Sequence, residues 1–128
     1  MEAPVAGSET VLLVEDEEIV RRLAAQALRS SGYTVLEAAS GEEAIRLCED
    51  FRGSLPLMVT DVIMPGMNGR ILAERLRRTW PELKVLYVSG YTDNSLDLSA
   101  NADTATAFLQ KPFVPAVLAQ TVRDLLDS

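Results

Sequence analysis

The chain has 128 residues, 48% of them hydrophobic and 24% charged, which suits one domain large enough to bury its own core. Nineteen acidic against twelve basic residues give a net charge of -7, which argues against a nucleic-acid-binding surface; one cysteine, Cys48, and no histidine argue against an internal disulfide and a structural zinc site. No apolar run approaches the roughly 20 residues that span a bilayer, and the first residues do not read as a signal peptide, so a cytoplasmic location without membrane contact is expected.

Residues 1–10 show no periodicity and read as a flexible tail or linker, leaving a domain over 11–128. Val11 to Val14 is a continuous apolar run, the pattern of a strand covered on both faces, and it stops at the acids Glu15, Asp16, Glu17 and Glu18. A helix follows with Ile19, Val20, Leu23, Ala24, Ala27 and Leu28 at helical spacing and Arg21, Arg22 and Gln26 opposite; Gly32 ends it. Tyr33 to Ala38 reads as a second strand. Ser40 with Glu43 forms a capping-box pattern that opens a second helix, with Ala44, Ile45, Cys48 and Phe51 inward. Cys48 is expected to be a small buried hydrophobe.

The third strand, Leu57 to Thr60, ends in Asp61, and Pro65-Gly66 breaks the chain before Asn68-Gly69 opens a third helix with Ile71, Leu72, Leu76 and Trp80 inward. Lys84 to Val88 is a fourth strand ending in Ser89-Gly90. Between Tyr91 and Thr106 the alternation calls for a fourth helix, although Ser, Asp, Asn and Thr dilute Leu96 and Leu98. Ala107 to Leu109 is a short fifth strand. The last helix has Val117, Leu118, Val122, Leu125 and Leu126 inward and Pro115 in its first turn. Strands alternating with helices imply right-handed crossovers and a doubly wound α/β fold, a five-stranded parallel sheet with five helices on both faces.

In such a sheet, ligands sit outside the carboxyl ends of the strands. Those ends carry Glu15 and Asp16, Asp61, Ser89 and Lys111. A lone Asp61 is as well explained by a turn, but four strand ends with polar groups at one edge point to a site. Three close carboxylates repel one another and resist ionisation unless a cation is present, and their oxygens suit Mg2+ completed by waters and phosphate oxygens. Lys111 and Ser89 suit a phosphoryl group.

Val14-Glu15-Asp16, Asp61 followed by Met64-Pro65-Gly66 and Gly69, Val88-Ser89-Gly90, and Lys111-Pro112-Phe113 together resemble the receiver domain of two-component response regulators, from about Val11 to Leu126. Residues Leu86 to Asp93 and Leu109 to Phe113 look most like receivers attached to hybrid sensor histidine kinases. The resemblance implies a flavodoxin-like sheet of order 2-1-3-4-5. It implies that Asp61 takes a phosphoryl group from a phosphohistidine on a sensor histidine kinase or a histidine phosphotransfer protein. Asp16, Asp61 and the backbone carbonyl of Ile63 would hold Mg2+, with Glu15 acting near it through water. Ser89 would bond the phosphoryl group, Lys111 would pair with it, and Ser89 and Phe108 would form the switch. Such a domain catalyses its own phosphorylation and slow dephosphorylation and is not otherwise an enzyme. The resemblance also allows a cis Lys111-Pro112 bond and a homodimer through the fourth helix, fifth strand and fifth helix, while any membrane anchor would belong to a parent kinase.

This chain departs from the family where Glu15 replaces the commoner Asp, Ser89 the commoner Thr, and Phe108 lacks a phenolic oxygen. Three other readings compete. A haloacid dehalogenase phosphatase would want a second Asp where Ile63 stands, and a flavodoxin-like cofactor binder would want a Ser/Thr/Gly-rich loop after the first strand. A degenerate receiver serving only as an interaction module differs in failing to take up phosphate. Phe108 also has a plainer explanation as a core aromatic.

Overall fold

The structure is a computed structural model, and it describes residues 9–51, 53–89 and 106–127. Five strands, β1 (Thr10–Val14), β2 (Thr34–Ala38), β3 (Leu57–Asp61), β4 (Lys84–Ser89) and β5 (Thr106–Gln110), form one parallel sheet in the order β2-β1-β3-β4-β5. Four helices are described: α1 (Glu18–Ser30), α2 (Gly41–Asp50), α3 (Gly69–Leu76) and α4 (Pro115–Asp127), the last being the fifth helix expected from the sequence. The expected fourth helix, with Tyr91, Leu96 and Leu98, lies outside the described residues.

The apolar runs are continuous because each strand is covered on both sides. Along β1, Val11 and Leu13 face one layer while Leu12 and Val14 face the other. The first layer joins Leu57, Val59, Leu86 and Val88 to Ala24, Ala25 and Leu28 of α1 and Leu118, Val122 and Leu125 of α4. The second joins Met58 and Val85 to Ala44 and Cys48 of α2 and Leu72, Ala73 and Leu76 of α3. Cys48 is buried, as its size and polarity suggest.

Four helix-face expectations are corrected. Ile19 and Leu23 of α1 are 76% and 52% exposed, and its inner face is Ala24, Ala25 and Leu28. The face rotates because Arg21, expected outside, turns inward: its guanidinium donates to the Glu15 carbonyl at 2.9 Å and lies 3.5 Å from Glu37. Ile71 and Val117 are likewise exposed, and the small residues Ala73 and Ala119 take the buried positions beside them, bringing α3 and α4 close to the sheet. β1 also starts at Thr10, one residue before the expected Val11, because the Thr34 N–H donates to the Glu9 carbonyl and extends the ladder.

The local start signals act as their chemistry suggests. Ser40 Oγ accepts from the Glu43 N–H at 3.1 Å; Glu43 reaches back to the Ala39 N–H at 2.7 Å, one residue short of the usual capping-box partner. Asn68 caps α3 by accepting from the Ile71 N–H at 2.9 Å. Gly66, with φ of 87°, makes the turn between Asp61 and that cap, a backbone shape that L side chains rarely adopt. At the end of the sheet away from Asp61, Arg123 ties α4 to the chain entrance through Glu9 at 3.1 Å, and its guanidinium also reaches the Tyr33 hydroxyl at 3.3 Å.

Candidate functional site

Three consequences of the sheet bring the site together. β1 and β3 are parallel neighbours, with Val14 beside Thr60, so the residues that follow each pair, Glu15 and Asp61, leave the sheet at the same level. β4 flanks β3 with Val88 beside Asp61, which sets Ser89 one residue beyond it. β5 flanks β4 with Gln110 beside Ser89, and the Lys111 N–H donates to the Ser89 carbonyl at 2.8 Å. The Lys111-Pro112 peptide is cis, as the resemblance allows.

Asp61 is 5% exposed and Glu15 3%, whereas Asp16 is exposed. The carboxylates of Glu15, Asp16 and Asp61 offer ligand atoms that all lie within 4.8 Å of one another. Lys111 Nζ reaches across to them, 3.0 Å from Asp61 Oδ1 and 3.0 Å from Glu15 Oε1. Burial pushes the Asp61 carboxyl up to about 8, helped by hydrogen bonding and charge from Glu15, and the opposing pull of Lys111 does not cancel it. For Lys111, burial acts to lower the pKa, but its bonds to Asp61 and Glu15 outweigh this and leave it raised. The ammonium therefore stays charged while the acids around it remain crowded. A hard divalent cation fits this donor set, which is made of carboxylate oxygens with too little positive charge among them.

Two close backbone approaches hold Asp61 in place. The Gly69 N–H donates to the Val62 carbonyl at 2.8 Å, and a Cβ on Gly69 would overlap the Asp61 carbonyl oxygen. Buried Thr60 donates its hydroxyl to the same Asp61 carbonyl at 3.0 Å. The glycine was legible in the sequence as part of the motif; this reason for it was not.

Of the residues singled out from sequence, Glu15, Asp16, Asp61 and Lys111 form one cluster. Ser89 ends β4 half-buried at its edge, and Ile63 lies in the loop after β3 with 61% of its surface exposed. Phe108 stacks on Tyr87 with ring centroids 5.6 Å apart and an interplanar angle of 19°. Tyr87 and Ser89 alternate to the same side of β4, so the aromatic pair lies on Ser89's face of the sheet. Tyr87 was not anticipated; it sat in an apolar run that fixed no partner. Glu17 was missed as well, and its Oε1 lies 3.3 Å from Lys111 Nζ.

A family model described as the response regulator receiver domain matches residues 11–123. The chain belongs to that family. The receiver is 46% identical over 123 residues to the sensor kinase CckA of Brucella abortus, a match covering 96% of this chain and 13% of that protein. It is 35% identical over 104 residues to the response regulator receiver protein CpdR of the same species, covering 80% of this chain and 84% of CpdR. Among solved structures, the receiver domain of the hybrid histidine kinase CckA superposes with a TM-score of 0.76 at 37% identity, covering 91% of this chain and 98% of that one. The chemotaxis response regulator CheY4 of Vibrio cholerae superposes with a TM-score of 0.79 at 28% identity, covering 93% and 99%. The receiver therefore spans a small fraction of the sensor kinase CckA and most of the receiver protein CpdR.

Proposed function

We propose that this receiver takes a phosphoryl group from a phosphohistidine onto Asp61, on a sensor histidine kinase or a histidine phosphotransfer protein, and that the acyl phosphate switches its binding of partners. The observation that carries the reading is the direct approach of Lys111 Nζ to Asp61 Oδ1 at 3.0 Å inside a cluster of acids at the strand ends. Mg2+ would be held by Asp16, Asp61 and the Ile63 backbone carbonyl, with Glu15 near it, and when bound it supplies positive charge for the phosphoryl oxygens. Asp61 supplies the nucleophilic oxygen: its O–P bond forms as the P–N bond to imidazole breaks and that electron pair returns to the ring nitrogen. Lys111 neutralises charge on the transferring oxygens, and its backbone bond to the Ser89 carbonyl, which keeps the two strand ends together, supports the reading that both residues serve the same phosphoryl group.

The output rests on Ser89 and Phe108. Attraction of the Ser89 hydroxyl to the phosphoryl oxygens changes the space beside Phe108, whose ring already packs on Tyr87 and has no hydroxyl of its own to spend. The switch here runs on packing. A homodimer through β5 and α4 is one output this face would serve.

The receiver begins at Glu9 and Thr10, which the sheet and Arg123 hold, and the residues before them serve as a tail or linker, in the cytoplasm, with no nucleic-acid or membrane contact made by this domain. Among the described residues no helix is long and apolar enough to cross a membrane. Exposed Leu23, with Val20, Pro112, Phe113 and Pro115, lines a groove of about 420 Å³ beside Glu17 and Lys111, which suits a docking protein as donor. The test is incubation with acetyl phosphate, with and without Mg2+. Phosphate on wild type that needs Mg2+ and disappears in Asp61→Asn is the expected result; no uptake under any condition would leave only an interaction module.

A further inference from the structure

Glu17 stands at the N-cap of α1, where Ser, Thr, Asp or Asn would accept a bond from an orphan N–H of the first turn, and its side chain makes no such bond. Its carboxylate turns instead to Lys111, with Oε1 3.3 Å from Nζ, while its backbone N–H donates to Glu15 Oε2 at 3.1 Å. A lysine ammonium has three N–H donors. Asp61, Glu15 and Glu17 together take them up. Two of these carboxylates are buried and belong to the cluster already described; the Glu17 side chain is 63% exposed and stands at the mouth. Asp16, before it in the chain, is exposed too, whereas Glu18 is paired with Arg22 at 2.6 Å. The mouth therefore carries the acids Asp16 and Glu17, and its cation, Lys111, is already shared among three acids.

We propose that Glu17 is a specificity-determining residue that selects against free, highly charged phosphoryl donors: it adds a negative charge at the entrance and claims part of the Lys111 charge that an incoming phosphoryl group needs. The proposal rests on the receiver reading above. A small dianion brings no positive charge of its own to this mouth, and a less charged donor meets a smaller barrier. A protein carrying phosphohistidine can bring its own cationic side chains to the acids.

The experiment compares acetyl phosphate, a dianion near neutral pH, with phosphoramidate, a monoanion, at saturating Mg2+. In each case an Asp61 oxygen forms the new O–P bond. With acetyl phosphate the P–O bond breaks and acetate leaves with the electron pair; with phosphoramidate the P–N bond breaks and the already protonated nitrogen leaves as ammonia. Across roughly 6–7 Å of wet surface, one unit of donor charge against one carboxylate is worth about a threefold difference in rate. Glu17→Gln should therefore speed both reactions at low ionic strength and raise the ratio of acetyl phosphate to phosphoramidate rates about threefold. That gain should shrink toward the wild-type ratio in about 0.5 M salt. Glu17→Asp, which keeps the charge, should stay close to wild type in this ratio. An unchanged ratio, an equal slowing with both donors, or a ratio insensitive to salt would overturn the proposal while leaving the receiver reading intact. A wild type that accepts phosphate from neither donor, or an Asp61→Asn variant that accepts as much, would overturn both.

Discussion

Asp61→Asn tests the electrostatics of the site without any phosphoryl donor. The amide keeps the carboxylate's shape, and with its oxygen toward Lys111 and its N–H2 toward Glu15 it satisfies both neighbours without charge. An Asp carboxyl ordinarily titrates at 3.8, and here burial and Glu15 raise it to about 8. At pH 7 the unfolded chain holds this group ionised, while the metal-free folded protein must protonate it or keep it charged beside Glu15. At about 1.4 kcal/mol per pH unit, that disadvantage comes to roughly 4 kcal/mol as an upper bound. An amide beside two charged groups recovers much of it, so the expected gain in metal-free stability is about 2–4 kcal/mol, or roughly 10 °C in Tm for a domain of this size. Thermal melts in EDTA measure it. Millimolar Mg2+ should narrow the difference, because the ion binds the folded wild type and relieves the same repulsion; saturation tenfold above Kd is worth about 1.4 kcal/mol. A variant that melts at or below wild type in EDTA would refute the argument that crowded charge dominates at Asp61 and would make its carboxylate a structural partner of Lys111 instead.

The same raised carboxyl sets a pH dependence. Between about pH 4 and pH 8 the folded metal-free protein holds a proton that the unfolded chain has released, so wild type should lose stability relative to Asp61→Asn as pH rises through that window; denaturant midpoints in EDTA that run parallel for the two proteins would contradict it. Gly69→Ala should cost about 1–3 kcal/mol and slow phosphorylation, since its Cβ displaces the Asp61 carbonyl; melting and acetyl phosphate uptake that both match wild type would show that the loop relaxes freely. Calorimetry should find that Asp16→Ala weakens Mg2+ binding more than Glu15→Ala, because buried Glu15 is engaged with Lys111 and Asp16 is open; equal losses would mean the two roles are misassigned. Exposed Ile63 cannot orient a water toward the acyl phosphate, so Ile63→Asn should shorten the phosphorylated lifetime in kinase-free decay, and an unchanged or longer lifetime would remove shielding at Ile63 from the account.

The sequence by itself determined the parallel sheet and the edge where the site lies. Apolar runs such as Val11 to Val14 and Leu57 to Thr60 are continuous because both faces of each strand are covered, and a crossover fold then delivers every strand's carboxyl end, with its Asp, Ser or Lys, to one side. Helical periodicity was a weaker guide. It placed Ile19, Leu23, Ile71 and Val117 inside, yet the sheet accepts small residues close to its surface, and Arg21 finds inward partners that no local pattern reveals. The same limit applied to Glu17 and Tyr87. An acid in a run of four acids and an aromatic in an apolar strand carry no label of their partners; these are fixed only when β5 sets Lys111 beside the start of α1 and Phe108 beside β4. The succession of strands and helices depends on the chain's own pattern, whereas the sharing of one ammonium among three carboxylates depends on distances between segments far apart in the chain, Glu15 and Glu17 lying more than ninety residues from Lys111, and only tertiary packing sets those.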